Sequence, residues 1–137
     1  MRYILFLFCV SYLLSACSTE VDTTNLSKDY LMDKWQINNQ TIHFYDDTSA
    51  VLLSVLKDES VDTMLIYYNF QPDSSPVQLD MQVYEGSLKG MNLFGIIDPV
   101  SQDTFLMTSK MGFEGQAHKY RPQHFDSTKV VTYVRLK

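Results

Sequence analysis

Turn-forming residues interrupt the chain at short, regular intervals from Gln40 onward, and nothing between them repeats with a helical period of useful length. The punctuation is Asp46-Asp47-Thr48, Asp58-Glu59-Ser60, residues 71–76 with two prolines, residues 86–90 with a glycine at each end, and Asp98-Pro99. Between these marks lie residues 40–46, 49–57, 61–70, 77–85 and 91–97, and two more β-rich runs follow at 103–110 and 129–137. The run 77–85 alternates almost without fault: Val77, Leu79, Met81 and Val83 share one face, Gln78, Asp80 and Gln82 the other. A short strand over residues 35–38, after at most one helical turn at 30–35, brings the number of strands to about eight. Strands joined by such short turns pair as antiparallel neighbours. In roughly 105 residues they predict an all-β fold, a small antiparallel up-and-down barrel, with a sandwich as the alternative.

Two runs are apolar on both faces. Val51, Leu53 and Val55 point one way, and Ala50, Leu52 and Leu56 the other; residues 64–68 (MLIYY) behave likewise. One face can line the barrel, and the other then needs a cover. The choices are the N-terminal segment, the long loop before the last strand, a partner protein or the membrane surface.

The chain has 137 residues, enough for one domain and too few for two. A net charge of −5 with 45% hydrophobic residues excludes a disordered acidic chain. The hydrophobic residues are loaded at one end, where residues 1–16 hold 13 of them. Arg2 precedes a run of 12 residues, Tyr3 to Leu14, broken only by Ser11. That length suits the apolar region of a signal peptide and falls short of a roughly 20-residue membrane span. The next residues, Leu14-Ser15-Ala16-Cys17, resemble the lipobox of bacterial lipoproteins. The resemblance implies cleavage before Cys17, a diacylglycerol thioether on its sulfur and an acyl chain on the new amino terminus. A plain secretory signal is the alternative. Ser18 in place of Asp implies the outer membrane, on its periplasmic side, in a Gram-negative cell. In a Gram-positive cell it implies the outer face of the cell membrane. The expected organisation is a signal peptide at 1–16, lipidated Cys17 and a polar tether to 29, and a barrel domain over 30–137. Cys9 leaves with the signal, so the mature domain has neither a free thiol nor a disulfide.

Leu31 and Trp35, four apart before the first strand, resemble the start of lipocalin-like domains. Pro76-Val77-Gln78-Leu79-Asp80, Gly95-Ile96, Asp103-Thr104-Phe105, Arg121-Pro122 with Phe125, and Arg135 follow in the order found in a family of small bacterial lipocalin-like domains. The resemblance spans residues 30–137, and Asp33 departs from it where the family usually has Gly. It implies that Arg135, on the last strand, lies across the indole of Trp35 and closes one end of the barrel. Such a cation–π contact contributes about 0.5–2 kcal/mol.

Catalytic spacing is missing from the sequence. His43, His118 and His124 make no HExxH or CxxC arrangement, so no metal or other cofactor beyond the lipid on Cys17 is expected. There is no G-x-S-x-G elbow and no phosphate-binding P-loop, and the expected role is non-enzymatic. Asp80 faces away from the apolar row of its strand. It is read as a polar anchor for a ligand or a loop, or as a structural partner of residues 71–76 or of Arg121. Charge is uneven: residues 17–109 carry 4 Lys/Arg and 14 Asp/Glu, and residues 110–137 carry 6 and 2. The basic part includes the 16-residue stretch 111–126, where His118, Lys119, Tyr120, Arg121 and His124 form a set suited to an anionic headgroup or an acidic partner. The other reading is a lid that packs Phe113 and Phe125 on the barrel and leaves its charges in water. An acidic exported domain excludes nucleic acid as a partner.

Two functions follow. The first is non-catalytic binding of a small apolar or amphipathic ligand in a hollow barrel. The second is a protein–protein interaction module of the cell envelope with a filled barrel. An eight-stranded barrel sits at the size where side chains can fill the interior, and Tyr67, Phe70, Met81, Phe94, Phe105 and Met107 are the large residues expected there.

Overall fold

The computed structural model describes Asp22 and residues 26–137; Cys17, the signal segment and most of the tether lie outside the described residues. Eight strands close into an antiparallel barrel in sequence order, so the fold is the expected all-β up-and-down barrel. They are β1 (Asp33–Ile37), β2 (Gln40–Phe44), β3 (Ser49–Val55), β4 (Val61–Gln71), β5 (Val77–Glu85), β6 (Asn92–Ser101), β7 (Thr104–Gly112) and β8 (Val131–Arg135). A 3-10 turn at Lys28–Leu31 precedes β1, capped by the Ser27 hydroxyl, and a short helix α1 (Ala117–Tyr120) interrupts the β7–β8 connection.

Turn chemistry sets the hairpins. The Asp46 carboxylate accepts from the backbone N–H of Thr48 at 2.8 Å and of Ser49 at 2.7 Å, and the Asp58 carboxylate accepts from Ser60 N–H at 3.1 Å. Asn38 takes the left-handed conformation (φ 52°) that a two-residue turn between Ile37 and Gln40 requires. Asp33 stands at φ 136°, backbone that favours glycine, two residues before Trp35.

The Asp98-Pro99 pair does not end a strand as the turn signal predicts. Instead β6 runs on to Ser101, and the register slips between Pro99 and Ser101. Proline lacks a ladder donor, and a bulge is one of the few places inside a sheet that tolerates it.

Register then assigns the faces. Val77, Leu79, Met81 and Val83 of β5 point inward, and through the β5–β6 pairing so do Leu93, Gly95 and Ile97. The interior is filled. Trp35, Phe44, Leu79, Phe105 and Met107 are all fully buried, and a Cβ on Gly95 would run into the Met107 methyl. Two of the expected interior residues face outward. Tyr67 pairs across from Ser49 and Gln82 on the outer wall and is 50% exposed. Phe94 pairs with Asp80 on the outer wall, and it is buried for another reason given below. On β3 the inward slot after Leu52 belongs to buried Ser54, whose hydroxyl accepts from Gln40 at 2.7 Å, while Leu56 falls beyond the strand and is exposed.

One end is plugged. Tyr30 and Leu31 turn into the barrel mouth, and the Trp35 indole N–H donates to Leu31 O at 2.8 Å. Arg135 is the register partner of Trp35, with its guanidinium carbon 4.3 Å from the indole centroid. The same guanidinium donates to the carbonyls of Met32 (2.7 Å), Tyr30 (2.8 Å) and Gln102 (3.1 Å). One side chain therefore ties the N-terminal turn, β1, β8 and the β6–β7 turn together.

Candidate functional site

The connection from β7 to β8, residues 113–130, crosses the outer wall of β5–β7 as a lid. Three features seat it. First, Tyr120 of α1 stacks on Phe94 with centroids 6.5 Å apart and planes 18° apart. Gly112 makes room for this: a Cβ there would lie 2.5 Å from the Tyr120 ring and 2.9 Å from Phe94. Second, the Arg121 guanidinium pairs with the Asp80 carboxylate, their side chains 14% and 18% exposed. Third, Pro122 is buried. Phe125, 37% exposed, borders a surface cleft of about 450 Å³ together with Pro72, Pro76, Ile97 and Pro99. Phe94 and Ile96, outward residues of β6, are buried on this wall. The lid packs through Tyr120 and not through Phe113, which is 69% exposed and touches only the edge of Tyr120 at 6.0 Å.

Beneath the lid lies a basic cleft of about 360 Å³. It exists because β8 pairs with β7 only as far as Met107, leaving Thr108 to Lys110 past the last paired residue. His118, Lys119, Arg121 and His124 of the lid line it. So do Thr108, Lys110 and Lys129, which the reading of the loop alone misses. Alternation turns Thr108 and Lys110 outward on β7, and the end of the β7–β8 pairing at Met107 leaves them without a β8 partner. The remaining expected residues lie elsewhere. Tyr120 lines a separate cleft with Met91, Met111 and Phe113, and Asp80 sits behind Arg121 in the outer wall of β5.

Four Lys/Arg side chains line the cleft against a single carboxylate, Asp126. That carboxylate is occupied: it accepts from the Thr128 hydroxyl at 2.6 Å and backbone N–H at 3.0 Å, and lies 3.6 Å from Lys129. These Thr128 hydrogen bonds hold its pKa below the ordinary aspartate value. Three buried polar atoms on this wall have no hydrogen-bond partner among the described residues: Asp80 Oδ1, Arg121 Nε and Thr108 Oγ1. The first two belong to the Arg121–Asp80 ion pair, whose other atoms make the contact. Thr108, 3% exposed, has no such neighbour.

The opposite outer wall is bare. Val51 pairs with Leu65, Leu53 with Thr63 and Val55 with Val61, all facing outward. Leu53 is 37% exposed and Val55 51%. Tyr67 stacks on Tyr84 at 4.0 Å beside them.

Among the described residues no group of three or more His, Cys, Asp or Glu converges as a metal site, and no helix is long and apolar enough to cross a membrane. The five clefts described open on the surface, and none is lined by Trp35, Phe44, Leu79 or Phe105. No family model, no curated protein and no solved structure matches the chain.

Proposed function

We propose that the protein is a lipid-anchored bacterial envelope protein whose filled, non-catalytic barrel serves as an interaction module. The observation that carries this reading is the bare apolar wall of β3 and β4, set on a barrel whose interior is occupied by its own side chains. A hollow barrel would hold a small apolar ligand inside, and Trp35, Phe44, Leu79, Phe105 and Met107 already fill that space. Exposed contiguous apolar surface of this kind marks a contact site for another protein. The lipobox-like Leu14–Cys17 segment supports the anchor, and the lipocalin-like motif order is consistent with the barrel. The lipobox-like segment also supports a position at a membrane surface, on the periplasmic face of the outer membrane in a Gram-negative cell.

Native mass spectrometry of the protein purified from its own host tests the filled barrel. The expected spectrum is the acylated chain alone, with no shift on adding fatty acids. A co-purified apolar molecule displaced only on unfolding would overturn the reading in favour of ligand carriage. Replacing Cys17 with Ala should move the protein from the membrane to the soluble fraction. Its persistence in the membrane would contradict the anchor.

A further inference from the structure

We propose that the basic cleft between β7 and the lid binds a phosphate-bearing anion. Contact through the β3–β4 wall neither requires this nor conflicts with it, because the two surfaces are separate.

Three observations carry the inference. The cleft concentrates cations in a chain of net charge −5: Lys110, Lys119, Arg121 and Lys129 line it, and with Arg121 paired to Asp80 and Lys129 3.6 Å from Asp126, Lys110 and Lys119 are left without a carboxylate among the described residues. Several of its donors are idle. The side chains of Lys110, His118 and His124 have no hydrogen-bond or ion-pair partner among the described residues, and Lys119 only lies over the Tyr120 ring at 5.4 Å. Finally, Thr108, a residue 3% exposed, lines the cleft, and its buried hydroxyl oxygen has no partner among the described residues. Leaving a buried hydroxyl unpaired is costly, and a ligand oxygen at the cleft would accept its hydrogen.

Phosphate fits this set better than a carboxylate does. It offers several strong acceptor oxygens to donors arriving from the strand and from the lid, and carries enough charge to engage more than one cation. The volume, about 360 Å³, exceeds what a bare phosphate occupies and leaves room for the group esterified to it. Free phosphate, a phosphomonoester and a phospholipid headgroup share this chemistry.

The test is calorimetric titration of the full-length protein in detergent, at low ionic strength, with two probes. Inorganic phosphate reports a free anion or a monoester. Glycerophosphoglycerol, a phosphodiester headgroup without acyl chains, reports a lipid. Saturable one-to-one binding of either probe supports the proposal, and the tighter one identifies the source. Thr108→Val should weaken binding about tenfold and Lys110→Ala about fivefold, the size of single charge-assisted contacts. Lys89→Ala, in the β5–β6 turn, should leave it unchanged. Raising the salt should weaken binding as well.

No saturation by either probe below about 10 mM would overturn the proposal. Binding that survives Thr108→Val and Lys110→Ala together would do the same. Thr108→Val also carries its own folding control. Removing an unpartnered buried hydroxyl should leave the ligand-free melting temperature unchanged or raised. A fall in that temperature would mean the hydroxyl is already bonded within the fold, and the proposal would fail.

Discussion

The two outer walls of this barrel are dressed contrary to their composition. The wall of β5 carries Gln78, Asp80 and Gln82 and reads as a surface ready for water, yet Asp80 is held beneath the lid by Arg121. The wall of β3 and β4 carries Val51, Leu53, Val55, Leu65 and Tyr67 and reads as a surface in need of cover, yet nothing among the described residues lies over it. Connectivity explains the difference. The lid leaves from Gly112 on β7 and must return to Val131 on β8, so it can only fall on strands next to that seam. Anchors then fix where it lies: a ring on a ring, an Arg on an Asp, and a glycine that lets the ring down. Cover in this fold follows chain reach and specific anchors, and apolar surface out of reach is left for a partner.

Removing the main anchor should give the largest effect. Arg121→Ala strands the Asp80 carboxylate beneath the lid and should cost about 2–3 kcal/mol in a denaturant titration, near the lower end for a broken buried pair because both side chains keep some exposure. Amides of β6 at Phe94 and Ile96 should lose hydrogen-exchange protection while those of β3 keep theirs. A loss under about 0.5 kcal/mol would mean the pair is only a surface ornament.

Gly112→Ala tests the seat of the lid from below. The new methyl meets the Tyr120 ring at 2.5 Å and Phe94 at 2.9 Å, so the lid must lift, at about 1–3 kcal/mol. Near-neutral behaviour would show that the Tyr120 stack is loose.

Acid should not separate the two walls. Hydrogen bonds from Thr128 lower the pKa of Asp126 at the end of the lid, and hydrogen bonds within the β2–β3 and β3–β4 turns lower those of Asp46 and Asp58. A depressed carboxylate contributes stability that is present above the unfolded value near 3.8 and is lost as pH falls through the folded value. Stability should therefore be insensitive to these groups from pH 7 to about 4 and decline below that. Circular dichroism melts across pH 3 to 7 would check it; a lid that loosens alone at pH 5 would break the symmetry.

The smallest stability effect is expected on the bare wall. Leu53→Lys should change stability by less than about 0.5 kcal/mol, since the side chain does not support the interior, and Tyr67→Ser by about 0.5–1 kcal/mol through loss of its stack on Tyr84. A loss above about 1 kcal/mol would mean that this wall is structural in the isolated domain.

Much of the barrel is legible in the sequence because turn chemistry is local. Asp46 and Asp58 announce their hairpins by what an aspartate does two and three residues on, and the alternation of residues 77–85 announces its two faces. Pro99 misleads for a physical reason. The breaker signal is the same whether a strand stops or bulges, and only pairing with Phe105 on β7 decides between them. Tyr67 and Phe94 mislead because these strands are apolar on both faces, so composition cannot say which side is inside. The site is less legible still. The loop announces His118, Lys119, Arg121 and His124 by its charge, but Thr108 and Lys110 join them only because β8 stops pairing at Met107. That is a long-range fact, invisible in either segment alone.

The most direct test of the contrast between the walls is site-specific photo-crosslinking in intact cells of the host, with the probe at Leu53 or Tyr67 on the bare wall and at Glu114 on the lid. A discrete protein adduct is expected from the bare-wall positions and none of that mass from Glu114. Adducts from Glu114 alone, or no adduct from Leu53 and Tyr67, would contradict it.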